Sequence, residues 1–270
     1  MAGLINIIDY GTSAYRLGYG GDIAYDKTQE PEKRSVNEFI RFLVKETENT
    51  QDVIYIEKNE KNRKTRESVV EGLFEELNIE RLLIVKSATM SLYSIGKSSG
   101  FVQESSETTN ELLCVEDGYL DTNHSKKSTF PICEVFKQYK HINTKTLRSI
   151  FNENNTEFKL PDGSMINTSH YFMNEKLMYD NFTKQKIQAN PMILLTGNVM
   201  SIPTFYQSAK ELIQDKKGSL LNNPEIPDFF KNSSYLGASI ISQVDELNNI
   251  YVNKKQYDDY GHKILEKMYQ

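Results

Sequence analysis

The sequence predicts a mixed α/β fold made of two related lobes, and three observations carry that reading. Strand-length apolar runs alternate with segments of helical periodicity. An opening strand, turn and strand returns near residue 101 on the same plan of carboxylate and hydroxyl-rich tip. The longest apolar runs, Leu82-Leu83-Ile84-Val85 and Met192-Ile193-Leu194-Leu195, have the length of buried strands and fall far short of a membrane span.

The opening unit is Ile7-Ile8-Asp9-Tyr10-Gly11-Thr12-Ser13-Ala14-Tyr15-Arg16-Leu17, followed by a glycine-rich exit from Gly18 to Gly21. It is a β-hairpin with a tip suited to phosphate. Gly11 permits the positive φ of a tight turn, Thr12 and Ser13 offer donors, and Arg16 brings a fixed positive charge. A plain hairpin closed by small residues is the alternative. A polar stretch from Asp26 to Arg34 then leads to an amphipathic helix capped by Ser35, with Val36, Phe39, Ile40, Leu43 and Val44 on its buried face. Val53 to Ile56 is a strand. Glu57 to Arg66 is a charged loop leading into a helix whose buried face is Val69, Val70, Leu73, Phe74 and Leu77. Leu82 to Val85 is a strand, and Thr89 to Ile95 a helix stopped by Gly96.

Phe101 to Val115 repeats the hairpin plan, with Glu104 as the carboxylate and Ser105, Ser106, Thr108 and Thr109 at the tip, although such a run also suits a solvated turn. Asp121 to Ser128 and Asn152 to Glu157 are polar and turn-like, with a short helical pattern around Val135, Phe136 and Tyr139 between them. Leu160-Pro161-Asp162-Gly163 is a turn between extended runs. Met192 to Leu195 is a buried strand ending in Thr196-Gly197-Asn198, and a helix with Phe205, Ala209, Leu212 and Ile213 follows Pro203. Tyr235 to Val244 is a helix whose small residues face a close neighbour. Two terminal helices, around Tyr257 and from His262 to Met268, complete the pattern.

A chain of 270 residues buries roughly three quarters of its unfolded surface, enough for one large or two modest domains. Apolar residues make up 38% and charged residues 26%, and 37 acidic against 32 basic residues leave a net charge of −5. Both signs are interspersed, so no basic surface for nucleic acid stands out. The amino-terminal residues do not have the pattern of a secretory leader. The two cysteines, Cys114 and Cys133, are spaced unlike zinc ligands and fit a reducing compartment. His124, His141, His170 and His262 are scattered and expected at the surface or in packing. No metal site is predicted.

Laid end to end, these pieces resemble the actin and actin-related protein family. Asp9-Tyr10-Gly11-Thr12 with Gly18-Tyr19-Gly20-Gly21-Asp22 is similar to the family's first phosphate loop, and Ser91 to Gly100 to the helix and turn joining its two domains. Gly100 to Gly118 lies without a gap over the second phosphate hairpin. Phe158 to Gly163 resembles a family turn, Leu195 to Pro203 the third phosphate segment, Tyr235 to Ser239 the helix start beneath the adenine, and Tyr251 to Gly261 a long carboxy-terminal stretch. The matches follow the family's order.

The resemblance implies two ribonuclease-H-like domains around a nucleotide cleft, residues 1–95 with 235–270 and residues 96–234. The sequence is short of the family after Asp22 and between Gly118 and Phe158, which implies that subdomain two is largely missing and subdomain four reduced. It also implies ATP or ADP with Mg²⁺ as ligand. The positions it carries over are Asp9, Gly11, Thr12 and Arg16 in the first loop, Glu104 and Ser105 in the second hairpin, Gly197 and Asn198 in the third segment, and Gly237 in the helix.

Departures weaken that implication. Glu104 replaces the family's acidic residue in the second hairpin, Ser106 and Thr108 its two glycines, and Asn198 a glycine in the third segment. Each added Cβ penalises a left-handed backbone by roughly 1–2 kcal/mol and blocks close approach to phosphate. Ser87 stands where the family has a water-positioning glutamine, and Glu111 where it has a histidine; losing such groups forfeits on the order of 10²–10⁴ in rate. The combined expectation is a non-catalytic structural subunit of a larger complex, with weak or lost ATP binding, no catalytic residue and no metal ligand. The alternative is a slow ATPase whose nucleotide state acts as a conformational switch. A small-molecule kinase would need a carboxylate base, and none stands out.

The partners implied are other protein subunits of a multi-protein assembly, with no direct nucleic-acid or membrane contact. Homopolymer formation is not expected, because loss of an outer subdomain removes one of two faces that propagation requires. Tyr251, Tyr257, Tyr260 and Met268 are expected to line a groove between the main subdomains. The expected location is intracellular: cytoplasm or cytoskeleton, including the cilium, with the nucleus as a further setting for related assemblies.

Overall fold

The computed structural model describes residues 5–11, 14–30, 35–47, 51–59, 62–106, 109–128, 157–159, 163–167, 191–201, 203–215, 218–221 and 228–269. Thr12, Thr108, Leu160 and the pattern around Phe136 lie outside them. In chain order the elements are β1 (Ile5–Tyr10), β2 (Tyr15–Tyr19), β3 (Lys27–Gln29), α1 (Val36–Glu46), β4 (Asp52–Glu57), α2 (Arg63–Glu75), β5 (Arg81–Lys86) and α3 (Ser87–Tyr93). There follow β6 (Gly100–Ser105), β7 (Asn110–Glu116), β8 (Tyr119–Ser128), β9 (Glu157–Lys159), β10 (Met165–Asn167), β11 (Met192–Thr196), a 3-10 turn (Asn198–Ser201), α4 (Pro203–Asp215) and β12 (Ser219–Leu220). The chain continues through α5 (Phe229–Ile241), a second 3-10 segment (Asp245–Ile250), β13 (Val252–Asn253), α6 (Lys254–Tyr260) and α7 (Lys263–Met268). Two compact units emerge, Met1–Lys97 with Asn232–Gln270 and Ser98–Lys231.

The first unit is built on a six-stranded sheet of order β13-β5-β4-β1-β2-β3. β1, β4 and β5 run parallel, and β2 and β3 extend the sheet antiparallel. Both faces are covered, which is why these strands are continuous apolar runs rather than alternating ones. Ile7, Ile54, Ile56, Leu83 and Val85 pack with Met90 of α3 and Tyr235, Ala238 and Ile241 of α5. On the other face Ile8, Val53, Tyr55, Leu82 and Ile84 meet α1, α2, α6 and α7.

Local sequence explains the helix ends. Ser35 caps α1 by accepting from the Glu38 amide at 3.2 Å, and Asn62 caps α2 by accepting from that of Thr65 at 3.1 Å. At α6, Asn253 and Gln256 each accept from the other's amide, at 2.8 and 3.0 Å, a reciprocal capping box. Phe42 is buried in α1, whereas Val44, expected on the buried face, lines a polar recess with Glu76, Asn78 and Glu80. Tyr257 stacks on Phe74 at 4.5 Å, Tyr251 lies under the Arg81 guanidinium at 5.2 Å, and Met268 packs on the core. These three therefore serve the first unit's interior instead of the expected groove, and Tyr260 alone of the four is exposed.

The second unit carries a five-stranded sheet of order β12-β11-β6-β7-β8. Its plan matches the first: a central strand, two antiparallel strands on one side and two parallel strands on the other. Strand order thus repeats as β5-β4-β1-β2-β3 and β12-β11-β6-β7-β8, which is the internal repeat expressed as topology. Phe101, Leu112, Cys114, Ile193 and Leu195 pack under Met200 and, from α4, Ala209 and Ile213. Burial and the carboxylates of Glu116 and Asp121 push the Cys114 thiol up to about 11. It is protonated at neutral pH, and slow labelling by iodoacetamide is the expected result.

Four expectations about elements are corrected. Residues 121–128 belong to the strand β8 rather than a turn, and Lys27–Gln29 is an edge strand inside the stretch read only as polar. α3 starts two residues before Thr89, directly after β5. α5 starts at Phe229, six residues before Tyr235. Among the described residues no helix is long and apolar enough to cross a membrane.

Candidate functional site

The first tip follows from strand register. Asp9 of β1 and Arg16 of β2 are direct partners across the antiparallel pair, so their side chains share a face. Arg16 Nη1 donates to Asp9 Oδ2 at 2.8 Å, with both side chains largely buried. Tyr25 OH donates to the same oxygen at 3.3 Å, and its ring lies 5.5 Å beneath the Arg16 guanidinium. Burial, then the Asp9 charge, raises the Tyr25 phenol well above its ordinary value, so it stays a donor. Asp9 Oδ1 is buried with no hydrogen-bond partner among the described residues.

Gly11 is required here for a different reason from the one expected. Its φ is not left-handed; a Cβ would overlap the Ala14 carbonyl and come within 3.0 Å of Arg16 Nη1. The missing side chain is what lets Arg16 lie against the turn. Thr12, the fourth residue assigned to this loop, is outside the described residues.

In the second unit Glu104 and Ser105 end β6, facing Glu111 and Asn110 of β7 in register. Ser105 Oγ donates to Asn110 Oδ1 at 2.8 Å, Gln103 Nε2 does so at 3.4 Å, and all three residues are fully buried. Beyond them the described residues Ser106 and Thr109 bond to each other. Ser106 N donates to Thr109 O at 2.8 Å, and Thr109 N donates to Ser106 Oγ at 3.0 Å.

Gly197 and Asn198 join this group through β11, where Thr196 pairs with Glu104. Gly197 has φ +97° and its absent Cβ would collide with the Ser105 carbonyl, so glycine is required twice over. Its amide donates to Phe230 O at 2.7 Å. Asn198 opens the 3-10 turn. Thr196 Oγ1, beside them, is buried without a hydrogen-bond partner among the described residues.

Gly237 serves the packing of the first unit, whose α5 also meets Tyr25 through the Tyr235 ring at 4.2 Å. It lies in α5 against α3, where a Cβ would overlap the Met90 carbonyl oxygen, and one turn earlier Ser233 Oγ meets Ser91 Oγ at 3.1 Å. α5 also secures the glycine-rich exit. Tyr235 OH donates to Tyr19 O at 2.8 Å, and Ser239 Oγ accepts from Gly21 N at 2.9 Å and donates to Asp22 O at 2.7 Å. Gly18 is held by this contact, since a Cβ there would meet the Tyr235 ring at 2.5 Å.

Ser87 is buried at the start of α3, next to a charged group that sequence reading missed. Lys86 Nζ donates to Glu57 Oε2 at 2.6 Å, and Arg66 closes on the same carboxylate with bonds of 2.6 Å to each oxygen. The parallel register of β4 and β5 sets Glu57 beside Lys86. Tyr25, equally unforeseen, comes from a loop whose approach to Asp9 depends on the fold. The only sequence signal for the charged group is an ionisable residue at the carboxy end of each of two buried strands, Glu57 and Lys86; Tyr25 has none.

A family model described as Actin matches residues 25–131, from the loop before β3 to just beyond β8. That span contains the second hairpin and the helix leading to it, while the first hairpin and the carboxy-terminal stretch lie outside it. The matched span is thus similar to actin, and the strand order shared by the two sheets, in a mixed α/β chain, is consistent with a shortened actin-like fold.

Proposed function

We propose that this chain is an actin-family, non-catalytic structural subunit of a multi-protein assembly, with weak or lost binding of ATP or ADP and Mg²⁺. The observation that carries this reading is the Asp9–Arg16 ion pair, buried and joined by Tyr25. The cation and the carboxylate of the first loop neutralise each other, so neither charge is held in reserve for a phosphate or a metal-bound water. The second tip supports the same conclusion. A phosphate cradle needs backbone amides facing the anion, and here the amides of Ser106 and Thr109 are spent on bonds between these two residues. The described residues of that tip do not fit a triphosphate, and no reaction step is derived through one. Ser87 is too short to orient a water, and the Glu111 carboxylate would repel a γ-phosphate.

A second reading, a slow ATPase working as a conformational switch, is favoured by one feature. Buried carboxylate oxygens are nearly always hydrogen-bonded, and Asp9 Oδ1 lacks a protein partner among the described residues.

Nucleotide content and binding separate the two. Two lost glycines at roughly 1–2 kcal/mol each lower affinity by about one and a half to three decades. The protein is expected to purify without nucleotide and to bind ATP·Mg²⁺ in the micromolar range or not at all by calorimetry. A nanomolar constant, or steady-state hydrolysis abolished by Asp9→Ala, overturns the structural reading and supports the switch.

The partners proposed are other protein subunits, in the cytoplasm or cytoskeleton including the cilium, or in the nucleus, without nucleic-acid or membrane contact. Homopolymers are not expected. Sedimentation of the concentrated chain with Mg²⁺ and ATP should leave it in the supernatant; ordered filaments in the pellet would refute this.

A further inference from the structure

The β7–β8 hairpin of the second unit gathers three metal-ligating groups that the nucleotide reading does not use. Its turn is Asp117-Gly118, with φ +49° and +85°, the two left-handed residues of a type I′ hairpin loop. That turn places Cys114 directly opposite Asp121. Glu116, two residues beyond Cys114, lies on the same face. One ligand atom from each of Cys114, Glu116 and Asp121 lies within 4.8 Å of the other two.

A cluster of carboxylates at a surface is common, and this one differs in its sulfur. Cys114 is 5% exposed, is a free cysteine, and has no hydrogen-bond partner for its thiol among the described residues, yet it points at two carboxylates. The carboxylate beneath it is held from both sides. Asn123 N donates to Asp121 Oδ1 at 2.8 Å, and His124 Nδ1 pairs with Oδ2 at 2.5 Å.

We propose that Cys114, Glu116 and Asp121 bind a divalent transition metal of the zinc class, with His124 as the positioning residue for Asp121. Sulfur selects a borderline ion over Mg²⁺ or Ca²⁺, which take oxygen ligands. Bond lengths of about 2.3 Å to sulfur and 2.0 Å to oxygen put one sulfur and two oxygens of a tetrahedron roughly 3.3–3.5 Å apart. Spacings of up to 4.8 Å therefore need at most about 1.5 Å of contraction, within reach of the exposed Glu116 side chain. On binding, the metal–sulfur bond forms as the thiol proton leaves to solvent, and the fourth position goes to water. Thiolate and two carboxylates carry three negative charges against two on the ion. The bound ion would tie β7 to β8 at the edge of the sheet.

Cysteine spacing gives no sign of this site, because a single cysteine is joined to carboxylates by strand register instead of by a second cysteine. The test uses the full chain with Co²⁺ alone, followed by Zn²⁺ competition. One equivalent of Co²⁺ is expected to give a thiolate-to-metal charge-transfer band that Zn²⁺ abolishes and excess Mg²⁺ leaves unchanged. Cys133→Ser should keep the band and Cys114→Ser lose it. Glu116→Gln and Asp121→Asn should weaken Co²⁺ binding at least tenfold, and His124→Ala by about 10–100-fold, with unchanged circular dichroism. No band at one equivalent, a band that survives Cys114→Ser, or unchanged binding in both carboxylate variants overturns the proposal. Should Cys114→Ser fold poorly, the two carboxylate variants decide it.

Discussion

Glu57→Gln is expected to destabilise the first unit by about 3–5 kcal/mol, the range for breaking a buried ion pair from one side. Glu57 ends β4 with its side chain 6% exposed, and it holds the Arg66 guanidinium through two bonds and the Lys86 amine through a third. Arg66 also donates to the Tyr269 carbonyl at 3.3 Å, so the same cluster fastens the carboxy-terminal end of the chain to α2. Glutamine keeps the shape and removes the charge, leaving two cations facing each other with little water to screen them. A loss below about 1 kcal/mol would mean that the cluster behaves as a solvated surface pair.

The same triad sets a pH dependence with a definite sign. Burial raises the Glu57 pKa, but hydrogen bonds from Arg66 and Lys86 and their charges outweigh it, so the carboxyl sits below its ordinary value. A depressed folded-state pKa gives stability that is fully present above the unfolded value of about 4.3 and is lost as pH falls through the folded value. The parent and Glu57→Gln curves are therefore expected to differ most at neutral pH and to converge in acid. Urea unfolding at several pH values can be followed by tyrosine fluorescence, since the chain has 16 tyrosines and no tryptophan. A difference that grows towards low pH would contradict the assignment.

What the sequence made legible, and what it hid, divides along one physical line. Strands β1, β4, β5 and β11 were readable because burial leaves an apolar run. β3 and β8 were not, because Lys-Thr-Gln and Asp121 to Ser128 are polar and owe their strand conformation to hydrogen bonds with a neighbour. The start of α5 was hidden for a related reason, as Lys231, Asn232, Ser233 and Ser234 interrupt the apolar period. At the first tip, Asp9 and Arg16 were each legible as chemistry. Their pairing was not, since it depends on a register that puts residue 9 opposite 16. Glu57 with Lys86 needed the alignment of two parallel strands separated by a helix, which no local pattern encodes.

The resemblance assigns Gly237 to a nucleotide site while the fold sets it against backbone, and Gly237→Ala separates the two roles by sign. In an exposed helix interior, glycine to alanine stabilises by about 1 kcal/mol through helix propensity. A glycine kept only to admit a ligand would follow that rule: the variant would gain stability and lose nucleotide affinity. Gly237 instead abuts α3, and the atom its Cβ would strike is the Met90 carbonyl oxygen, which already accepts from the Ser94 amide at 3.0 Å. Backbone of that kind cannot swing aside as a side-chain end would; either α5 moves off α3 or the helix hydrogen bond opens. Overpacking of well-filled interiors costs about 1–3 kcal/mol and occasionally more, and a backbone collision belongs at the upper end, well beyond the propensity gain. Thermal unfolding of Gly237→Ala is thus expected to begin several degrees lower than that of the parent. An equal or raised midpoint, accompanied by loss of ATP binding that the parent shows, would return Gly237 to a nucleotide site.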